Sequence, residues 1–214
     1  MQQQDNAAPE LQALMSISAR PSPDRLSSTA ALLARAFVSD PVLCYAEPDA
    51  VRRASWLSLL YRGLARYAVA TGGMELVDGR AAALWLQNET QPAFWRGLLL
   101  GSLRIMLALG WRAAWRSMRH EAWCAARVRA LGLRRFGYVW LLGVDPAVQR
   151  AGNGRRALES ALAAMREHEH DVCILKTETQ ANVAYYLARG FQLIDEAVVP
   201  ATQLRYWLFL RKLA

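Results

Sequence analysis

The sequence predicts an α/β fold, because segments with the apolar spacing of helices alternate with short apolar runs typical of strands. Three features carry this prediction. Residues 138–144 form a nearly unbroken apolar run, as expected of a buried strand. Asp78-Gly79 lies between two shorter apolar runs and predicts a hairpin. Helix-forming residues occupy about 154–168, shortly after the buried strand.

Two amphipathic helices are predicted before the hairpin. The first starts near Asp24, and Asp40-Pro41 ends it because a proline disfavours the helical conformation of the residue before it. The second covers about 49–70, and the glycine pair at 72–73 ends it. The apolar stripe of the first helix comprises Leu26, Ala30, Leu33 and Phe37.

The segment from about 92 to 135 is rich in tryptophan and arginine, and its helical spacing predicts a helical insert or lid with a break at Gly110. Its aromatic residues either line a substrate pocket or serve packing. Its arginine stripe either attracts an anionic substrate or forms a solvated helix face. The tryptophans are Trp95, Trp111, Trp115 and Trp123, and the arginines are Arg112, Arg116 and Arg119.

The other elements follow from the same patterns, and no linker marks a domain boundary, so we expect a single domain over 1–214 with a frayed polar start at 1–12. The predicted strands are 74–77, 82–86, 138–144, 172–177, 192–198 and 205–210, with a short helix over 182–188.

Charge and cysteine content narrow the function classes. The chain has 26 basic and 18 acidic residues and a net charge of +8, which attracts nucleic acid, an acidic membrane surface or a phosphate-rich cofactor. The most apolar segment, 97–111, is too short to span a membrane and contains Arg104. The three cysteines are far apart and in no C-x-x-C pair, which argues against a disulfide framework and predicts a cytoplasmic protein.

The segment 142–155 carries the most chemical information. The buried strand runs into a short loop with Gly152 and Gly154, and this loop opens onto a helix. Glycines allow the backbone to approach a ligand closely, and the first amides of a helix have no internal partners. Together with the helix dipole, these features predict a site for phosphate groups, to which Arg150, Arg155 and Arg156 add positive charge.

Two motifs in this region give a family resemblance. The hexapeptide at 149–154, QRAGNG, resembles the GNAT signature Q/R-x-x-G-x-G/A, and Asn182-x-x-x-Tyr186-x-x-x-Gly190-Phe191 resembles the second signature of that superfamily. In layout the chain looks most like the puromycin N-acetyltransferase-like branch, chiefly in the hairpin at 73–89 and in the segment 175–179. A Rossmann dinucleotide site is disfavoured, because G-x-G-x-x-G is absent and no acidic residue ends a following strand.

The resemblance implies a GNAT fold: a central mixed, mostly antiparallel sheet with a V-shaped splay between two parallel strands, helices on both faces and the helical insert. It also implies acetyl-CoA as cosubstrate, with pyrophosphate at the loop and pantetheine on strand amides, and no metal. The cofactor-binding residues so implied are Leu142, Gly143, Val144, Gln149, Arg150, Ala151, Gly152, Asn153, Gly154, Arg155, Asn182 and Tyr186.

The resemblance further implies direct transfer of an acetyl or short acyl group to a primary amine of a small molecule, without an acyl-enzyme. Tyr186 matches the position that protonates the departing thiolate, although it could instead be a buried aromatic residue. Asn182 could contact pantetheine, close the loop or cap its helix. Where many relatives have a glutamate this chain has Lys176, so the base is either Glu178, directly or through a water, or a chain of waters.

Two classes of alternative stay open. The chain could be a non-catalytic acyl-CoA-binding protein or a protein N-acetyltransferase with the same fold, or else a nucleic-acid or membrane-surface binding protein. We expect no nucleic-acid partner, no membrane span, and a monomer or homodimer. A metal site at 168–170 is disfavoured, because His168 and His170 diverge on a helix.

Overall fold

The computed structural model of the chain describes residues 22–89, 107–108 and 110–213. The helices within these ranges are α1 (Pro23–Ala36), α2 (Pro41–Ala46), α3 (Ala50–Thr71), α4 (Trp111–Arg129), α5 (Asn153–Glu167) and α6 (Ala181–Leu187). The strands are β1 (Gly72–Val77), β2 (Ala81–Gln87), β3 (Phe136–Val144), β4 (Val172–Thr177), β5 (Gln192–Val198) and β6 (Arg205–Lys212), with a 3-10 turn at Pro146–Val148.

The described strands form one sheet in the order β1-β2-β3-β4-β6-β5. Strands β3 and β4 are parallel, and the other neighbouring pairs are antiparallel. The predicted mixed, mostly antiparallel sheet is therefore confirmed.

The parallel pair separates along its length. Register between β3 and β4 runs from Phe136–Val172 to Val139–Leu175, whereas β3 continues along β2 as far as Val144. A register shift in β2 leaves Trp140 without an opposite residue at the point where this separation starts. Residues 140–142 are also only half-buried, unlike the start of the strand. A slot therefore opens between the carboxyl-terminal halves of β3 and β4.

Each face of the sheet carries its own apolar core. On one face, helices α1, α3 and α4 pack through residues such as Leu33, Trp56 and Cys124. On the opposite face, α5 and α6 pack through residues such as Leu162 and Tyr186. Burial of these apolar side chains holds helices on both faces of the slot.

The predicted hairpin is confirmed, but its first strand starts earlier than predicted, because the glycine pair at 72–73 belongs to the strand. Asp78 and Gly79 have φ values of 49° and 65°, as a two-residue turn with both central residues left-handed requires. The first strand begins at Gly72 rather than at residue 74. A Cβ on Gly73 would lie 2.4 Å from Nε1 of Trp85, so glycine here serves close packing of two strands rather than a turn.

Two regions differ from the sequence prediction. Asp40-Pro41 ends the first helix, but it also starts α2, because Asp40 caps that helix and Pro41 fits its first position. In the predicted insert, α4 begins directly after Gly110, whereas residues 92–106, with Trp95, lie outside the described residues, as do residues 1–12. None of the described helices is long and apolar enough to cross a membrane.

Candidate active site

The loop after β3 is tied to α1 by Asp145. The carboxylate of Asp145 caps the 3-10 turn by accepting from the Ala147 amide at 3.1 Å, and it accepts from Nε of Arg35 at 3.1 Å. The hydrogen bond from Arg35 lowers the pKa of Asp145, which keeps this exposed carboxylate ionised. The predicted Asp-Pro step thus fixes the direction in which the loop leaves the strand.

The amino terminus of α5 has the geometry of an anion site. Gly152 caps the helix in the left-handed conformation, with φ 80°, and no side chain accepts from the first amides. These amides therefore point outward with the positive end of the helix dipole. Asn153 is buried, and its amide nitrogen donates to the Val148 carbonyl at 3.3 Å. The side chain of Asn153 braces the loop rather than facing a ligand.

Gly154 is required for close packing beside this helix terminus. A Cβ on Gly154 would lie 2.9 Å from Cγ2 of Val144 and 3.2 Å from the hydroxyl oxygen of Tyr185. That hydroxyl is buried beside the Arg189 guanidinium, which is a donor, and it has no acceptor within the described chain. Burial raises the pKa of Tyr185, so the group is a protonated donor without an acceptor. Sequence reasoning did not single out Tyr185, because a tyrosine beside Tyr186 has no motif of its own.

The arginines near the loop differ in their partners. Arg150 and Arg155 are exposed, and Arg150 has a φ of 64°, while Gln149 and Ala151 are exposed beside them. Arg156 instead pairs with Asp78 at 2.7 Å. Two of the three arginines predicted to add charge are therefore available to an anion at the loop.

The open half of β3 presents the residues expected to line a bound cofactor. Leu142 and Val144 are half-buried and border the slot. Gly143 faces α1 instead, because a Cβ on it would lie 2.7 Å from Cδ2 of Leu33. Gly143 therefore lets α1 pack against the end of the strand.

The two residues of the second motif make different contacts. The side-chain amide of Asn182 donates to Oγ1 of Thr177 at 3.0 Å, and Gln180 is the residue at the cap position of α6. Asn182 is therefore not the helix cap, and it closes the turn between β4 and α6. The aromatic ring of Tyr186 packs at 5.8 Å from Phe191 and 5.6 Å from Phe209.

The side chain of Tyr186 is almost completely buried. It remains 7% exposed, and burial is the first cause that raises its pKa well above the ordinary value. A phenol in this state holds its proton throughout the physiological range. Its chemistry is therefore that of a donor rather than a base.

A buried ionic cluster lies at the end of β4, on the face that α4 covers. Nζ of Lys176 donates to Glu178 at 2.7 Å and to Glu121 at 3.0 Å. His120 is fully buried, with Nε2 3.0 Å from the same oxygen of Glu178 and Nδ1 3.1 Å from the Thr202 hydroxyl. Because an ionised carboxylate only accepts, Nε2 of His120 carries the proton.

The buried ionic cluster controls the protonation of Glu178. Burial opposes its charge, but the attraction of Lys176 and the hydrogen bonds from His120 and Lys176 outweigh that effect and lower the pKa to about 2. Burial likewise opposes the charge of Lys176, whereas Glu121 and Glu178 raise its pKa well above the ordinary value. Glu178 is thus a permanently charged group and a weak proton acceptor near neutral pH.

The same cluster has the spacing, but not the chemistry, of a metal site. Ligand atoms of His120, Cys124 and Glu178 lie within 4.8 Å of one another. Burial raises the pKa of Cys124 to about 12, whereas metal binding needs the thiolate. The Lys176 ammonium already contacts the carboxylate oxygen that a cation would use. We therefore assign this cluster no metal.

The described tryptophans of α4 do not share one environment. Trp111 and Trp115 are 72% and 53% exposed, whereas Trp123 packs edge-on against Tyr206 with ring centroids 5.5 Å apart. Of the arginine stripe, Arg116 lies over the ring of Tyr45 at 5.7 Å. The arginine stripe therefore lies on the surface, and Arg116 contacts Tyr45 of α2.

Comparison with known proteins gives a family match over part of the chain. Residues 117–191 match the model of the acetyltransferase (GNAT) family. This matched segment, about a third of the chain, is similar to that family. The matched segment contains the loop, α5 and both motifs, and it ends at Phe191. A sequence search against curated proteins gives no match.

Solved structures show the same fold over nearly the whole chain. An apo mutant of agmatine N-acetyltransferase is 17% identical with a TM-score of 0.57, and the match covers 90% of this chain and 96% of that one. PH1933 from Pyrococcus horikoshii OT3 is 10% identical with a TM-score of 0.56, over 91% and 94% of the two chains. A GNAT acetyltransferase from Desulfovibrio desulfuricans, described as putative, is 10% identical with a TM-score of 0.51, over 91% and 96%. By contrast, the chain spans about half of the matched NatC chain, 54%, at a TM-score of 0.36.

Proposed function

We propose that this GNAT acetyltransferase transfers an acetyl or short acyl group from acetyl-CoA directly to a primary amine of a small molecule. One observation carries the proposal. The slot between β3 and β4 opens beside the uncapped amino terminus of α5, so an extended thioester with a charged pyrophosphate fits both features at once.

The residues present fit such a cosubstrate. The outward amides after Gly152 and the cations Arg150 and Arg155 would hold the pyrophosphate. The buried hydroxyl of Tyr185 lacks an acceptor within the described chain, and it lies next to Gly154, where it can donate to the same ligand. Backbone groups of Leu142 and Val144 would bind pantetheine along the slot.

Tyr186 supplies the proton that the departing thiolate needs. Its raised pKa keeps the phenol protonated, and it packs on the face opposite the buried ionic cluster. The amine therefore approaches the thioester from the α4 face while Tyr186 donates from the other.

The acceptor is best described as a small cationic amine. Glu178 is held ionised and Glu121 lies beside it, so the α4 face presents two carboxylates to one ammonium, that of Lys176. The name of the structural neighbour agmatine N-acetyltransferase supports the same substrate class. We further place the chain in the puromycin N-acetyltransferase-like branch, on the hairpin and the segment 175–179.

Lys176 gives a reason to keep one rival, a non-catalytic acyl-CoA-binding protein, because it replaces an acidic residue common in relatives. The test is release of coenzyme A thiol from acetyl-CoA with a panel of primary amines that includes agmatine, with mass spectrometry of the acetylated products. We expect thiol and N-acetyl product in equal amounts. Binding of acetyl-CoA without turnover of any amine would establish the rival instead.

A further inference from the structure

Asp40 lies in the turn between α1 and α2 with one carboxylate oxygen unused. Oδ1 of Asp40 accepts from the Val42 amide at 3.0 Å and the Leu43 amide at 3.1 Å, which caps α2. The other oxygen, Oδ2, has no hydrogen-bond partner among the described residues, and the side chain is half-buried. Capping therefore fixes the carboxylate while it leaves one oxygen free to act on a ligand.

A buried arginine holds both ends of this turn. Arg53 is 6% exposed, and its guanidinium donates to the Val38 carbonyl at 2.8 Å and to the Glu47 carbonyl at 2.7 Å. These carbonyls lie on either side of Asp40 and α2. The position of Asp40 is thus set by α3, a long helix of the core, rather than by the turn alone.

The turn lies over the mouth of the slot. Phe37, at the end of α1, would be 3.1 Å from a Cβ on Gly143, so this end of the helix covers the end of β3. Charged groups at the end of β4, Glu178 and Lys176, act on Asp40 electrostatically. Helix α2, which Asp40 caps, packs against α4, the helix that covers the end of β4. Asp40 therefore lies in a turn between the helix end that covers β3 and a helix packed against α4, on the face from which the acceptor approaches.

The groups around Asp40 give it a different protonation behaviour from Glu178. Burial, and then the negative charge of Glu178, raise the pKa of Asp40 to about 6, against opposing effects of Lys176 and the capping amides. Burial, and then the negative charge of Asp40, raise the pKa of Tyr61 on α3, so that this phenol stays protonated. Two carboxylates whose pKa values diverge in one site divide their roles. Glu178 is the fixed anion, and Asp40 can take and release a proton near neutral pH.

We propose that Asp40 is the general base that deprotonates the acceptor ammonium, an inference that rests on the acyl-transfer function proposed above. Asp40 takes one proton from the ammonium, and the freed nitrogen lone pair attacks the thioester carbonyl carbon. The carbon–sulfur bond breaks, its electron pair goes to sulfur, and Tyr186 protonates the thiolate. The second proton that nitrogen loses returns to the Tyr186 oxygen. Asp40 then releases its proton to solvent.

Asp40→Asn is the sharpest test, because asparagine keeps a capping oxygen and loses only the titratable group. The measurement is kcat/KM against pH, with the panel amine that wild type acetylates fastest. Wild type is expected to lose activity below an apparent pKa of about 6. Asp40→Asn is expected to lose this acidic limb and about 10²–10⁴-fold in kcat/KM, while acetyl-CoA affinity by calorimetry stays unchanged.

Glu178→Gln separates the two carboxylates. Removal of the negative charge that raises the pKa of Asp40 should move the acidic limb to lower pH without abolishing it. If the limb instead disappears in Glu178→Gln and persists in Asp40→Asn, Glu178 is the base and our inference is overturned. Should Asp40→Asn melt early, Asp40→Ser repeats the test with another capping side chain. A wild type that acetylates no amine of the panel would refute the proposed function itself, whereas an unaffected Asp40→Asn refutes only the base.

Discussion

The loop at 145–155, which we propose binds phosphate, and the buried ionic cluster at the end of β4 are built in opposite ways. The loop is one continuous segment, so its glycines and the following helix terminus are visible in the sequence. The cluster joins α4, β4 and the turn at Thr202, which lies 82 positions from His120. The loop depends on backbone groups, whereas the cluster depends on side chains that three distant segments bring together.

This difference explains what each region can contribute. Backbone amides at a helix terminus bind anions whatever the neighbouring side chains are, so the loop suits a cosubstrate shared by a whole family. Side chains of α4 and α2 can change without affecting that loop. The acceptor face is therefore where the identity of the amine and of the base is decided.

The largest expected loss of activity is at Tyr186, on the face of the sheet that α5 and α6 cover. A general acid acts mainly in the transition state, so Tyr186→Phe should lower kcat and kcat/KM together by about 10²–10⁴-fold. Phenylalanine keeps the ring contacts with Phe191 and Phe209, so acetyl-CoA affinity should change little. The loss should shrink with a thioester whose thiol is more acidic. Full activity of Tyr186→Phe would make the residue structural.

Breaking the buried ionic cluster should lower the free energy of unfolding more than breaking an exposed ion pair with the same N–O distance. Lys176→Met leaves Glu178 and Glu121 without their cation, which should cost about 3–5 kcal/mol in the free energy of unfolding. The control is Arg156→Ala, which breaks an exposed ion pair that has the same 2.7 Å distance as Lys176–Glu178. That control should cost less than about 1 kcal/mol. Denaturant titrations that give equal costs would show that burial of the cluster is unimportant.

The cluster also predicts how stability depends on pH. The pKa of Glu178 is lowered from 4.5 to about 2 in the folded protein. The carboxylate therefore contributes stability that is present above pH 4.5 and is lost as the pH falls toward 2. Glu178→Gln should lack this contribution when unfolding is measured across that window. A wild type and a variant with parallel profiles would contradict the assignment.

Much of the fold could be predicted from the sequence, because the spacing of apolar residues follows the buried face of each helix and strand. Strands β4 and β5 occur at the predicted boundaries, and helix α3 differs by one residue at each end. Helix α2 was missed because Asp40-Pro41 signals a stop, and a cap followed by a proline signals a start as well. The buried ionic cluster could not be predicted, since neither His120 nor Glu121 has a local pattern that marks it as a partner of Glu178 or Lys176.

The smallest expected effect is on the surface of α4. If the arginine stripe serves the acceptor, Arg112→Ala combined with Arg116→Ala should raise the KM of the acceptor a few-fold and spare acetyl-CoA affinity. The stripe is exposed, so added salt should reduce the difference between the variant and wild type. Steady-state kinetics with both parameters unchanged would make the stripe a solvated face.

The central claim is that the amino terminus of α5 binds the pyrophosphate of acetyl-CoA, and a pair of glycines tests it most directly. Gly152 and Gly132 both have left-handed backbones, with φ 80° and 64°, and open space where a Cβ would stand. Gly152→Val and Gly132→Val should therefore cause similar strain, but only Gly152 borders the proposed phosphate site. Calorimetric titration should show that Gly152→Val abolishes acetyl-CoA binding while Gly132→Val, with a similar melting temperature, retains wild-type affinity. Unchanged affinity in a folded Gly152→Val protein would contradict the account.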